Sequence, residues 1–367
     1  MAARSGSRRL PNFPWDRLVP LKQRAAEHCD GLVDLSVGTP VDPTPRVVQE
    51  ALQATADAPG YPTVWGTPAL RTSIIGSLTR RLGSVELTDE CVLPTIGSKE
   101  LVASLPAQLG VHARHTVLVP QLAYPTYAVG ALLAGAEYVA SDATSAVGPA
   151  DVPLVWVNSP ANPTGRVLPV EHLRKVVAWA RERGAVVASD ECYLECAWDV
   201  EPVSMLNPEV NGGSLESILT VHSLSKRSNL AGYRAGFVAG DPALVTELLE
   251  VRKHAGLMVP VPVQAAMRAA LDDDGHIEEQ RQCYLRRRGL LRRALDSAGF
   301  RIDHSEASLY LWATRGEPCM ETVEWLADRG ILVAPGDFYG PAGGRHVRVA
   351  FTATDERVES AVSRLTN

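Results

Sequence analysis

From Cys91 onward, short apolar runs alternate with longer stretches whose apolar positions recur at helical spacing. Val92–Pro94, Thr116–Val119, Glu137–Ala140, Leu154–Val157, Val186–Ala188, Ile218–Val221 and Ala235–Ala239 read as strands. Lys99–Leu109, Tyr127–Ala134, Val170–Arg183 and residues 240–256 read as the helices between and after them. Strands alternating with helices predict an α/β sheet covered on both faces. Ahead of this block the pattern predicts an arm, a helix over Leu18–Cys29 and a strand over Leu32–Val37 that ends at Gly38-Thr39-Pro40. Helices over Pro45–Ala56 and Ala69–Arg81 follow, with Thr44 a candidate cap and Pro45 suited to the first helical position. Behind the block, helices at 259–270 and 276–298 lead to strands near 300–303, 309–313, 331–333 and 346–351, a smaller α+β unit. The expected division is therefore an arm and part of the smaller domain at 1–40, a large domain at 41–258 and a small domain at 259–367. In the last strand, alternation sets 347, 349 and 351 on one face and Arg348 on the other.

Composition narrows the class without naming a function. The 367 residues are 46% hydrophobic and 21% charged with a formal net charge of −6, ordinary for a globular protein and unlike a nucleic-acid surface. No apolar run reaches the length of a membrane span. The basic start (Arg4, Arg8, Arg9) runs into Pro11, Asn12 and Pro14 rather than an apolar core, so no secretory signal is expected and a cytoplasmic location is. Six cysteines form no CxxC pair, which fits reduced thiols and no metal site. His112 and His115 read as ordinary surface or structural histidines, and Asp272–Gly275 as a turn between helices. The arginines at 286–288, 292 and 293 read as the solvated face of a helix.

The chemistry concentrates in Ser223-Leu-Ser-Lys-Arg-Ser-Asn-Leu-Ala-Gly-Tyr-Arg234-Ala-Gly236. Lys226 sits among small hydroxyl residues, with Arg234 eight positions on. A lysine that condenses with an aldehyde cofactor needs such a neighbourhood. Ser223, Ser225 and Arg234 can hold a phosphate dianion, for which a guanidinium fork is well matched. Asp190, in Asp190-Glu-Cys-Tyr193, can pair with the ring nitrogen of a pyridine and keep it protonated. Gly97-Ser98-Lys99 opens a helix, whose free N–H groups suit a phosphate. Gly97, Tyr124, Asn162, Asp190 and Ser223 all fall just past expected strands, where open α/β sheets bind ligands.

Together these strings resemble the fold-type I aminotransferases of class I and II, enzymes that use pyridoxal 5'-phosphate (PLP), in the expected order over roughly residues 30 to 355. The resemblance implies a PLP-dependent transferase fold with a mostly parallel seven-stranded sheet. It implies that Lys226 anchors PLP and moves the proton, and that Asp190 holds the ring nitrogen. Tyr193 and Asn162 would bond the phenolic oxygen, and Tyr124 would stack on the ring. Gly97, Ser98, Lys99, Ser223, Ser225 and Arg234 would line the phosphate site, with Tyr61 reaching it from a partner subunit in a homodimer with shared active sites. Arg348, Asn162 and backbone near Gly38 would hold the substrate α-carboxylate, and Lys99 a distal carboxylate. Phe13-Pro-Trp-Asp16 and Lys226–Gly232 further resemble the succinyldiaminopimelate aminotransferases of actinobacteria. That implies glutamate (with 2-oxoglutarate) as donor pair and an N-succinylated 2-amino-6-oxo acid as acceptor, in lysine and diaminopimelate biosynthesis. An aspartate or aromatic aminotransferase and a PLP-dependent carbon–sulfur lyase share the same cofactor residues; a PLP-sensing binding module would carry a helix-turn-helix ahead of the fold, and none is expected before residue 30.

Overall fold

The computed structural model describes residues 10–83 and 86–366; Arg4, Arg8 and Arg9 of the expected arm lie outside them. Thirteen strands are found among the described residues: β1 Val33–Asp34, β2 Val92–Ile96, β3 Thr116–Val119, β4 Glu137–Ala140, β5 Leu154–Asn158, β6 Val186–Asp190, β7 Ile218–Ser223, β8 Ala235–Gly240, β9 Arg301–Asp303, β10 Tyr310–Thr314, β11 Ile331–Leu332, β12 Ala334–Pro335 and β13 Val347–Ala350. Seven form one sheet in the order β2-β8-β7-β6-β5-β3-β4. Its pairs are parallel except those of β8, which runs against both neighbours. A sheet of this kind is stable only with both faces covered. The alternation of side chains divides it accordingly: Val117, Val119, Trp156 and Ala188 face one core, and Leu118, Val155, Val157 and Val187 the other. Helix Ser98–Gln108 covers the first face through Leu101, Val102 and Leu105, and helix Val170–Arg183 the second through Leu173, Val176 and Val177.

A four-stranded antiparallel sheet, β12-β13-β10-β9, builds the second unit. Its core gathers Leu311, Trp312, Val347, Val349 and Phe351 with Leu18, Leu21 and Ala25 from the N-terminal segment. β1 joins it by pairing in parallel with β11. The helix Gly275–Ser297 runs between the units.

Several expectations need adjusting. β2 extends through Pro94 to Ile96, and tolerates the proline because it is an edge strand. β6 and β7 each run two residues further, so Asp190 and Ser223 end strands rather than follow them. The arginines of helix Gly275–Ser297 are not all solvated. Arg287 and Arg288 are buried: Arg287 donates to both Asp42 oxygens at 2.7 Å and to Asp355 at 2.7 Å, and Arg288 donates to the Ser305 carbonyl at 2.9 Å. Here charge marks a seam between units rather than a wet face.

Candidate active site

The carboxyl ends of β5, β6 and β7 meet at one place, and the motif residues come with them. Asp190 closes β6 and is buried. Its carboxylate accepts the Tyr127 hydroxyl at 2.7 Å and the Cys192 amide at 3.2 Å, while its carbonyl accepts the Asn158 side chain at 2.9 Å. Burial pushes its pKa up, and the hydrogen bonds from Cys192 and Tyr127 only partly offset that. Among the described residues no cation pairs with it. Tyr127 is itself fixed by stacking on Trp156 at 4.8 Å, and Tyr124 meets Tyr127 edge-on at 5.8 Å. Burial raises the Tyr124 phenol to about 12.

Ser223 ends β7 and caps the single turn Leu224–Arg227 through its hydroxyl, which accepts the Ser225 amide at 3.2 Å. That turn presents Lys226, whose ammonium donates to the Gly38 carbonyl. Gly38 has no room for a side chain, since a Cβ would lie 2.6 Å from the Tyr310 ring. Across β2, Gly97 takes a φ of +72° and begins helix Ser98–Gln108. A Cβ there would lie 2.7 Å from Cζ of Arg234, so a glycine is required for that guanidinium to approach the helix start. Arg234 is exposed and donates to the Ala231 carbonyl at 2.8 Å. Glu100 accepts two bonds from Arg252, at 3.1 and 2.8 Å.

Arg348 closes the site from the antiparallel sheet. It is buried and donates to Asn162 Oδ1 at 2.8 Å and to the Ser36 carbonyl at 2.7 Å. Tyr310 and Tyr339 flank its guanidinium, at 4.0 and 4.9 Å from centroid to Cζ. Burial opposes the charge, but the phenol oxygens of Tyr339, Tyr310, Tyr193 and Tyr124 outweigh it and hold the Arg348 pKa up. The Tyr193 and Tyr310 hydroxyls share a hydrogen bond of 2.9 Å.

Two motif residues stand apart from this group. Lys99 is exposed, its ammonium 5.9 Å over the Phe13 ring. Tyr61 is 98% exposed and touches nothing that would hold it. Sequence reading missed Tyr127 as the donor to Asp190, and missed Tyr310 and Tyr339 beside Arg348. Tyr127 was visible next to Tyr124, but only the fold shows which acceptor it faces.

A mostly parallel seven-stranded sheet thus carries at its carboxyl edge a lysine turn and a buried aspartate with no cationic partner among the described residues, faced by a buried arginine from the second sheet, an arrangement suited to an α/β enzyme. The chain belongs to the class I and II aminotransferases, whose family model matches residues 30–365. It is 62% identical to the probable aminotransferase Rv1178 of Mycobacterium tuberculosis, over 99% of this chain and 87% of that one. It is 60% identical to the 4-dedimethylamino-4-oxo-anhydrotetracycline transaminase OxyQ of Streptomyces rimosus, over 98% of this chain and 100% of that one. An aminotransferase structure from Neisseria meningitidis superposes with a TM-score of 0.91 at 30% identity, covering 99% of this chain and 98% of the other. The protein is therefore a PLP-dependent transaminase of fold type I. No helix among the described residues is long and apolar enough to cross a membrane.

Proposed function

We propose that the protein moves an amino group from glutamate to a 2-oxo acid or related carbonyl compound, with Lys226, Asp190 and Arg348 as the working residues. The observation that carries the placement is Asp190: a buried carboxylate, raised by burial and without a cationic partner among the described residues. A protonated pyridine nitrogen is the partner that chemistry asks for, so the residues fit PLP. Gly97, Ser98, Ser223, Ser225 and Arg234 would hold its phosphate, Asn162 and Tyr193 its phenolic oxygen, and Tyr124 its ring. Bound there, PLP supplies an aldehyde to capture the amine and an electron sink for the bond that breaks.

The chain's own groups do the rest. Lys226 Nζ would be the base that takes the proton from the substrate α-carbon and the acid that gives it back. Arg348 orients the α-carboxylate with Asn162 and the backbone near Gly38, its guanidinium staying charged at any working pH. Tyr127 and the Cys192 amide hold Asp190 in place.

For the acceptor we propose N-succinyl-2-amino-6-oxopimelate, with Lys99 near the distal carboxylate; the resemblance at Phe13–Asp16 and Lys226–Gly232 supports this. A second reading has its own observation: the match to OxyQ covers 98% of this chain and 100% of that one at 60% identity, which favours a bulkier ketone acceptor. We also propose a cytoplasmic homodimer, divided into domains at 40 and 258. One experiment separates the acceptors. The enzyme is loaded with PLP, converted to its amine form with glutamate, and offered single acceptors while its absorbance is followed. Return of the starting spectrum with the succinylated keto acid, but not with polycyclic ketones, supports the first reading. The reverse supports the second. Failure of glutamate to change the spectrum overturns the proposed donor.

A further inference from the structure

Three buried polar atoms near the substrate end of the site make no hydrogen bond: Arg348 Nε, the Tyr339 hydroxyl and Trp15 Nε1. Buried polar groups without partners are uncommon and ask for a cause. These three share one neighbourhood. The Tyr339 ring lies 4.9 Å from Arg348 Cζ, and Trp15 meets Tyr339 edge-on at 6.5 Å. Trp15 also packs on Phe338 at 5.4 Å and on Phe13 at 5.6 Å, and Phe13 lies under the Lys99 ammonium. Arg17 ties the segment down, donating to Asp337 at 3.0 Å while its guanidinium sits 5.2 Å over Phe338. A continuous aromatic wall thus runs from Arg348 to Lys99, with a cation at each end and two idle donors between.

We infer that Tyr339 and Trp15 are specificity-determining residues, donating O–H and N–H to an acceptor oxygen on the substrate side chain, a carboxylate or amide carbonyl beyond the α-carbon. The inference rests on the transaminase reading and deepens it. Tyr339 stands at the edge of the phenols around Arg348, beside Tyr310, Tyr193 and Tyr124. Trp15 extends the row away from Arg348 toward Lys99, so the pair of donors suits an oxygen further along the substrate. A side chain without such an oxygen leaves both donors dry and unpaired, which is how a polar pocket rejects an apolar analogue.

The test uses Tyr339→Phe and Trp15→Phe in the full-length, PLP-loaded enzyme. Each removes one donor and keeps an aromatic ring. Acceptor efficiency is compared for 2-oxoglutarate and 2-oxopimelate against pyruvate. Binding of the unreactive glutarate and pimelate is compared with that of propionate by calorimetry. Each variant is expected to lose about tenfold on at least one dicarboxylic ligand, the size of one hydrogen bond, and clearly less on pyruvate and propionate. An equal loss on pyruvate and propionate would place Tyr339 on the α-carboxylate and overturn the inference. So would no loss on any ligand. A wild-type enzyme that transaminates none of these acids would instead undo the functional reading, while the binding comparison still decides this one.

Discussion

Asp190 shows how much one residue depends on its surroundings. Its place in Asp190-Glu-Cys-Tyr193 is legible from sequence, because a carboxylate closing an apolar strand is a local pattern. The hydroxyl of Tyr127 that holds it is 63 positions away, and nothing local marks the pair. The same is true of Arg348, visible in its strand, whose neighbours Tyr310 and Tyr339 arrive from separate segments. Motifs reveal the residues that act, and long-range packing chooses those that hold them. The two kinds of residue are expected to fail differently. Asp190→Asn keeps the shape but removes the charge, so turnover of the PLP-loaded enzyme is expected to fall by about 10²–10⁴, as for other misprotonated catalytic groups. Tyr127→Phe leaves the carboxylate charged and removes one donor, so a loss of only about tenfold is expected. Steady-state kinetics on both variants checks the order; equal losses would mean that Tyr127 acts on the chemistry directly.

At the scale of elements, strand existence was readable from apolar runs, but strand ends were not, because the last residues of β6 and β7 are polar and look like loop. They are polar for two reasons. Asp190 and Ser223 face the site, while His222, and Glu191 just past β6, turn into a buried polar cluster behind it. Glu191 accepts from Ser204 at 2.6 Å, the Met205 amide at 2.8 Å and Ser189 at 3.0 Å, and lies 3.9 Å from His222. Burial raises Glu191 from 4.5 to about 7 and lowers His222 from 6.5 to about 4. The two act on stability with opposite sign. Between about pH 4.5 and 7 the folded state holds the Glu191 proton that the unfolded chain has lost, so this group's contribution falls as pH rises. Between about pH 4 and 6.5 the unfolded chain binds the His222 proton that the folded state refuses, so that contribution rises with pH. The slopes oppose each other where the windows overlap. Glu191→Gln removes one of them, and stability is expected to climb more steeply from pH 4.5 to 6.5 than in the wild type. Urea unfolding across that range measures it; an unchanged or shallower slope would contradict the balance of the pair.

The whole molecule raises the question of what covers the site from outside. The parallel pairing of β1 with β11 brings residues 33 and 331 together, a closure that no local pattern announces. It leaves the following segment in the open: Val37, Val41 and Val47 are exposed, and so is Tyr61 in its Gly/Pro-rich loop. An almost fully exposed tyrosine and three exposed valines along one stretch fit a surface that a second chain would cover. The proposed homodimer, in which Tyr61 would complete the neighbour's phosphate site, would account for them. It also predicts complementation. Lys226→Ala and Tyr61→Ala proteins are each expected to be nearly inactive. After subunit exchange, every mixed dimer pairs the intact Lys226 of one chain with the intact Tyr61 of the other in one of its two sites. Activity is therefore expected to appear on mixing, and to track the fraction of mixed dimers measured by native mass spectrometry. Mixed dimers that form without regaining activity would show that Tyr61 does not serve the neighbouring site. An active monomer in sedimentation would remove the shared site altogether, and leave the valines and Tyr61 as surface for some other partner.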